Sequence, residues 1–361
     1  MRYIMHGMDA ERPDACAAEL KARGFSAVVC GSFTEEMAEA AGKYGLETYL
    51  CYGAHGFGKE FDAPTHLARE VDGEARKWFA SGCPNDAEIA DARLAEVFRA
   101  AALPGLRGVL VDGARFASPA SSDNADALWT CFCPRCTAKM TAFGFDPEAL
   151  RHSVSAAKRF CDTGAGDVDE VLAGLSDWRA FRARCVGAYM RRFATGLKAI
   201  RPDLQAGAYI FTASLCGLVG QTAEAMHDLD LVAPMQYRRY KEPDGPACLN
   251  HEWAALLRLF TARSGLKMER AKQAFAAWSD LPVPGDTPDA VREDGFPPEA
   301  LEHETAAARR ALPTGKTLEP IILLDDDRLA ESVEAVRRGG ADGCNFFLYD
   351  REKLALLPEL R

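Results

Sequence analysis

Short apolar runs rich in β-branched residues recur along the chain, each bounded by Gly, Pro or Asp and followed by a stretch of helical period. That alternation is the signature of parallel βαβ units. Eight strands are predicted, at residues 3–6, 26–30, 47–52, 108–112, 205–211, 231–236, 318–324 and 343–349. The amphipathic segments 10–23, 35–44, 87–101, 178–200, 222–228 and 327–338 supply helices between them. Gly24, Gly45 and Gly340 each stand just ahead of a strand, where a left-handed helix C-cap and a short loop are expected. The predicted fold is α/β, a single (β/α)8 TIM barrel over residues 1–361. A doubly wound open sheet is the structural rival, but no Gly-rich phosphate loop accompanies any strand.

Three connections exceed a simple loop: 53–85 after strand three, 114–176 after strand four and 238–315 after strand six. All follow the C-terminal end of a strand, the face of a barrel on which ligand sites are built. Within the third, residues 281–298 are rich in Pro, Asp and Gly and read as a lid over that face. The insertion either closes over a ligand or packs against a second copy of the chain, so a homo-oligomer stays open.

Charge narrows the ligand. The chain carries a formal net charge of -10 with acids and bases intermixed, so no basic block is available for phosphates, and nucleic acid is not an expected partner. An uncharged, sugar-like small molecule fits better. No apolar run approaches the roughly 18 residues of a membrane span, and the first residues lack the apolar core of a signal peptide. The expectation is a cytoplasmic protein with no membrane partner, whose twelve cysteines stay reduced or bind metal.

Cys131, Cys133 and Cys136 form a C-x-C-x-x-C cluster tight enough for one tetrahedral ion, and Cys83, beside a Pro turn at the end of the preceding long loop, supplies a fourth thiol. Four thiolates close the coordination shell, so such a zinc would be structural. Three reduced thiols, or a redox pair, are the alternatives. Cys30, Cys51 and Cys344 read as small buried hydrophobes.

These cysteines, with Cys83-Pro84-Asn85, an apolar fourth strand ending in Asp112, and the run from Phe143 through Gly144, Phe145 and Asp146 to Leu150, carry a family resemblance. The stretch 81–150 resembles the zinc-bearing region of family 42 glycoside hydrolases (β-galactosidases) and of a wider set of glycoside-hydrolase-like barrels. Weaker similarity to the wider set continues through Gly220-Gln221, residues 233–237 and residues 340–350. The resemblance implies a structural zinc on the four cysteines and a carbohydrate ligand. The chain departs from family 42 where it matters most: Gly113 and Ala114 occupy the places of the Asn-Glu pair that holds the general acid.

Glycoside hydrolysis needs two carboxyls, about 5 Å apart when one attacks the sugar and about 6.5 to 9.5 Å apart when it activates water. Asp112 closes strand four, and Asp325, Asp326 and Asp327 close strand seven. Strand alternation selects Asp326 for the pocket with Asp325 in reserve, while one of the three is expected to cap the following helix. Arg115 is expected to pair with Asp112 and lower its pKa, which suits a nucleophile better than an acid. The plain alternative is a strand-end carboxylate bound to Arg115. Sugar-binding candidates on the same face are Tyr52, His55, Tyr209, Gln236, Tyr237, Tyr349 and Asp350, some of which would only fill the top layer of the barrel. His6, Asp9 and His55 contain no His-x-His pair to support a catalytic metal. A non-catalytic carbohydrate-binding barrel that has lost its acid, or a lyase or isomerase acting on a sugar derivative through Tyr or His, are the competing functions.

Overall fold

The computed structural model describes residues 1–361 apart from 57–60, 62, 80, 122–124, 243–246, 356 and 358–361. Its strands are β1 (Arg2–His6), β2 (Ala27–Cys30), β3 (Glu47–Gly53), β4 (Ala68–Arg69), β5 (Ala75–Arg76), β6 (Leu106–Asp112), β7 (Gln205–Ile210), β8 (Leu231–Pro234), β9 (Thr317–Leu318), β10 (Ile321–Leu323) and β11 (Gly343–Phe347). β4 and β5 form a separate antiparallel hairpin, and the other nine make one parallel sheet in the order β10-β11-β1-β2-β3-β6-β7-β8-β9. β9 and β10 stand at opposite ends of that order yet belong to one chain segment, parted by Glu319 and Pro320. Proline lacks the N–H that a ladder requires, which accounts for the break. Just past β8, the Gln236 amide donates to the Ile321 carbonyl at 2.8 Å, so the two margins of the curled sheet adjoin.

The helices Pro13–Ala22, Glu35–Lys43, Ala87–Ala101, Ser176–Ile200 and Leu329–Arg338 fall where the helical period places them. Gly24, Gly45 and Gly340 adopt positive φ (93°, 65° and 90°), the conformation expected of helix-ending glycines. Residues 222–228 are turns instead of a helix, because the short helix Cys216–Val219 ends at the left-handed Gly220 and the chain bends directly toward β8.

The second and third long connections are mostly helical. Residues 114–176 contain Pro134–Ala142, Pro147–Thr163 and Val168–Gly174; residues 238–315 contain Leu249–Thr261, Met268–Phe275, Pro288–Asp294 and Glu299–Ala311. The expected lid is part of this helical layer: Pro288–Asp294 packs on Leu249–Thr261, where Asn250 Nδ2 donates to the Arg292 carbonyl at 2.6 Å.

Inside the curl, alternate residues meet across the sheet. Tyr49 donates its hydroxyl to Gln205 Oε1 at 2.7 Å and accepts from Arg2 Nη2 at 3.0 Å, while His6 Nδ1 lies 2.9 Å from the Tyr209 hydroxyl. Room for the Tyr49 ring comes from Gly108, where a Cβ would stand 3.0 Å from that ring and 2.6 Å from the Gln205 carbonyl. These contacts fix the parity of β1, β3, β6 and β7. Residues 49 and 51 of β3, 108, 110 and 112 of β6, and 205, 207 and 209 of β7 face inward.

Candidate functional site

A cavity of about 300 Å³ opens at the C-terminal ends of β3 and β6 and is lined by His55, Trp78, Phe79, Asp112, Arg115 and Met235 among others. Asp112 is the inward-facing last residue of β6 and lines the cavity. Burial pushes its carboxyl pKa above the ordinary value, and the Arg115 charge and Gly113 amide offset this only in part. The expectation that Arg115 would hold Asp112 ionised is therefore corrected. Arg115 forms no ion pair with Asp112 among the described residues. Its Nη1 donates to the Phe116 carbonyl at 3.1 Å, and its guanidinium lies 4.8 to 5.5 Å from the rings of Trp78, Phe79 and Phe211.

His55 follows β3 and is buried, with its ring 4.9 Å from Tyr189. Burial, together with the Lys139 charge, lowers its pKa to about 4, so it is neutral near pH 7, and its Nδ1 has no hydrogen-bond partner among the described residues. Beneath the mouth, Tyr209 and Tyr237 are buried with pKa values raised by desolvation, and Asp112 adds to both shifts. Phe347 stacks 5.1 Å from His6 and 5.5 Å from Tyr237, completing that layer.

Other sequence candidates lie elsewhere. Tyr52 is one residue out of the inward phase of β3; it faces the helices, with its hydroxyl on that of Tyr189 and its ring 6.1 Å from Phe193. Gln236 likewise points outward and accepts from Thr305 Oγ1 at 2.9 Å. Asp326 does not line the cavity. Both its oxygens lie 3.0 Å from Arg238 Nε, and it also accepts from the Arg328 amide and Ser332 Oγ, each at 2.8 Å. Asp325 pairs with Lys353 at 2.7 Å on the surface. Asp350 accepts from the amides of Glu352 and Lys353 at the start of the helix Arg351–Ala355, and Tyr349 stands beside Cys16. Strand alternation did not place Trp78 and Phe79, which come from the connection after β3. The only sequence signal for them was an aromatic pair in a loop rich in small and polar residues.

Beside the cavity, Cys83, Cys131, Cys133 and Cys136 are buried with their sulfurs within 4.8 Å of one another. Cys83 Sγ lies 3.5 Å from Cys133 and Cys136 and 3.7 Å from Cys131. Four sulfurs about 2.3 Å from one tetrahedral ion stand about 3.8 Å apart, so the cluster fits a metal ion and the spacing is far too long for disulfides. The surroundings agree. The Arg69 and Asn85 amides each donate to a cysteine sulfur at 3.4 Å, and Asn85 Nδ2 donates to Cys136 at 3.2 Å. Arg182 is wholly buried and donates to the carbonyls of Ala117, Leu128, Thr130 and Leu218. No carboxylate pairs with it among the described residues, and the groups that support its charge are the thiols of Cys131, Cys136 and Cys185. A buried guanidinium facing Cys131 and Cys136 is reasonable where metal coordination keeps those two thiols negative.

No family model matches the sequence, and no curated protein does. Solved structures do. The glycoside hydrolase domain of PgaB (BpsB) from Bordetella bronchiseptica superposes with a TM-score of 0.59 at 12% identity, covering 99% of this chain and 96% of that one. A β-galactosidase from the Antarctic haloarchaeon Halorubrum lacusprofundi gives 0.58 at 14%, covering 97% of this chain and 53% of that one. The structural neighbours are glycoside hydrolases. A third is the catalytic domain of the β-amylase from Paenibacillus polymyxa, at 0.52 and 12%, covering 96% of this chain and 92% of that one. The chain spans about half the length of the β-galactosidase. At these identities the likeness is one of fold, an α/β architecture of parallel strands with helices packed outside. Among the described residues no helix is long and apolar enough to cross a membrane.

Proposed function

We propose that the chain is one (β/α)8 barrel, with β9 and β10 as a single strand broken at Pro320, and that it hydrolyses a small glycoside in the cavity beside Asp112. The observation that carries this reading is the placement of Asp112. It ends β6 at the face where barrel enzymes assemble their sites, in a cavity with Trp78, Phe79 and a fixed guanidinium, on a fold shared with glycoside hydrolases.

In this reading Asp112 is the general acid: burial keeps its proton on to higher pH, as protonating a leaving oxygen requires. Activating water takes a second group. Asp112 is the one carboxylate lining the cavity among the described residues, which leaves His55. With a pKa of about 4 its imidazole matches a carboxylate in basicity and is neutral at pH 7. Trp78 and Phe79 offer apolar faces for a sugar ring. The four cysteines hold a structural zinc that braces the connections after β3 and β6. All twelve cysteines are free of disulfides, which supports a reducing compartment, the cytoplasm.

A panel of aryl glycosides tests the proposal. Wild-type protein should release the aglycone from at least one of them, and Asp112→Asn should abolish release with little change in melting temperature; an unchanged rate removes Asp112 from the chemistry. The single cavity carboxylate also favours a second reading, a sugar-binding barrel without turnover. That reading holds if a sugar binds at the cavity and none of the panel is cleaved.

A further inference from the structure

We propose that the cavity takes a sugar bearing a carboxylate, a hexuronic acid or its glycoside, with the Arg115 guanidinium as the partner of that carboxylate. This rests on the glycoside-hydrolase reading for the sugar and on Arg115 itself for the charge.

Arg115 is 4% exposed, and the side chain lines the cavity. Three aromatic rings hold it: Phe211 at 4.8 Å, Trp78 at 5.0 Å and Phe79 at 5.5 Å. Of its N–H groups, one finds a protein acceptor among the described residues, the Phe116 carbonyl. The nearby acid Glu252 is already engaged, accepting from Ser118 Oγ at 2.8 Å and from the Ala120 amide at 2.9 Å. A desolvated guanidinium whose remaining donors form a rigid planar fork is arranged for a planar anion, which it can bind bidentately.

The number of charges selects the anion. Burial holds both Asp112 and Glu252 toward their protonated, neutral forms, so Arg115 is the one charge to be matched and suits a monoanion; a phosphate dianion would leave excess negative charge in the cavity. The acidic chain as a whole repels anions, so selection for one has to come from a local, buried cation. A bound carboxylate next to Asp112 also disfavours ionisation of that group, which keeps the proposed acid protonated in the complex.

Titration calorimetry with the full chain separates the possibilities, using glucuronate and galacturonate, the matching neutral hexoses, and glucose 6-phosphate. The expected result is a preference of about ten- to a hundredfold for a uronate over its neutral hexose, the range of one charge-assisted pair. That preference should shrink in Arg115→Lys, which keeps charge but loses the fork, and vanish in Arg115→Gln. Equal binding of acid and neutral sugar, tighter binding of the phosphate, no binding of any probe, or a preference retained in a folded Arg115→Gln protein would each overturn the proposal. The two readings fail separately. Uronate binding without cleavage of any uronide leaves the inference standing and removes the hydrolase, whereas cleavage of neutral glycosides alone does the reverse.

Discussion

Arg238 holds Asp326 from behind the mouth of the sheet, with Nε 3.0 Å from each carboxylate oxygen and both side chains no more than 5% exposed. Removing Asp326 leaves the buried Arg238 with Asp327 and the Phe296 carbonyl as its remaining acceptors. Asp326→Ala should therefore destabilise the protein by about 2 kcal/mol, the worth of hydrogen bonds to a charged group, while the folded fraction keeps its affinity for ligand. Urea unfolding and calorimetry measure the two effects; a catalytic Asp326 would give the opposite pattern.

Asp112 should show the reverse behaviour. Its folded pKa is raised, so the folded state binds the proton more tightly than the unfolded chain, and folding loses stability as pH climbs from the ordinary carboxylate value through the folded one. Above that window the ionised form is a net burden. Asp112→Asn should melt at the same temperature as wild type or higher at pH 8, and its advantage should disappear in acid. A lower melting temperature at pH 8 would mean that the carboxylate is held by interactions stronger than its burial.

Glu319 gives a pH dependence unconnected with catalysis. It is 2% exposed inside the sheet, 3.4 Å from Arg2 Nη1, and burial raises its pKa to about 7. The stabilising proton is present below the unfolded value and is lost as pH rises from about 4.5 to about 7, a swing on the order of 3 kcal/mol. Glu319→Gln should flatten that part of the stability profile relative to wild type. Parallel denaturation curves at pH 5 and pH 8 check it, and identical pH slopes for the two proteins would refute it.

The cysteine tetrad should carry about one zinc per chain by elemental analysis. Stripping it with a chelator, or changing Cys131→Ser, should lower the melting temperature by several degrees. Recovery with zinc should be complete for wild type and partial for the variant. Preparations that are metal-free and equally stable would return the cluster to four reduced thiols.

Much of this was readable from the residues. The eight apolar runs coincide with the sheet because each is flanked by its own turn chemistry, and the tetrad was legible because C-x-C-x-x-C spacing has few other uses. The assignment of faces was less secure. Tyr52 and Gln236 are polar or aromatic residues near strand ends, but inward phase belongs to 49 and 51 in one segment and to 235 and 237 in the other. Cross-sheet partners such as Gln205 set that phase, and they are distant in sequence. Asp326 was misplaced for a related reason: its partner Arg238 lies 88 residues away. Trp78 and Phe79 show in the sequence as an aromatic pair in a loop, but loop geometry obeys no period that would place them at the cavity.

Arg182 joins what would otherwise be two separate neighbourhoods. From one guanidinium it reaches Thr130, next to Cys131 of the cluster, and Ala117, two residues beyond Arg115. If the four cysteines carry the proposed zinc, its removal would slacken the segment that seats Arg115, and a chelator-treated protein should release its ligand while still folded.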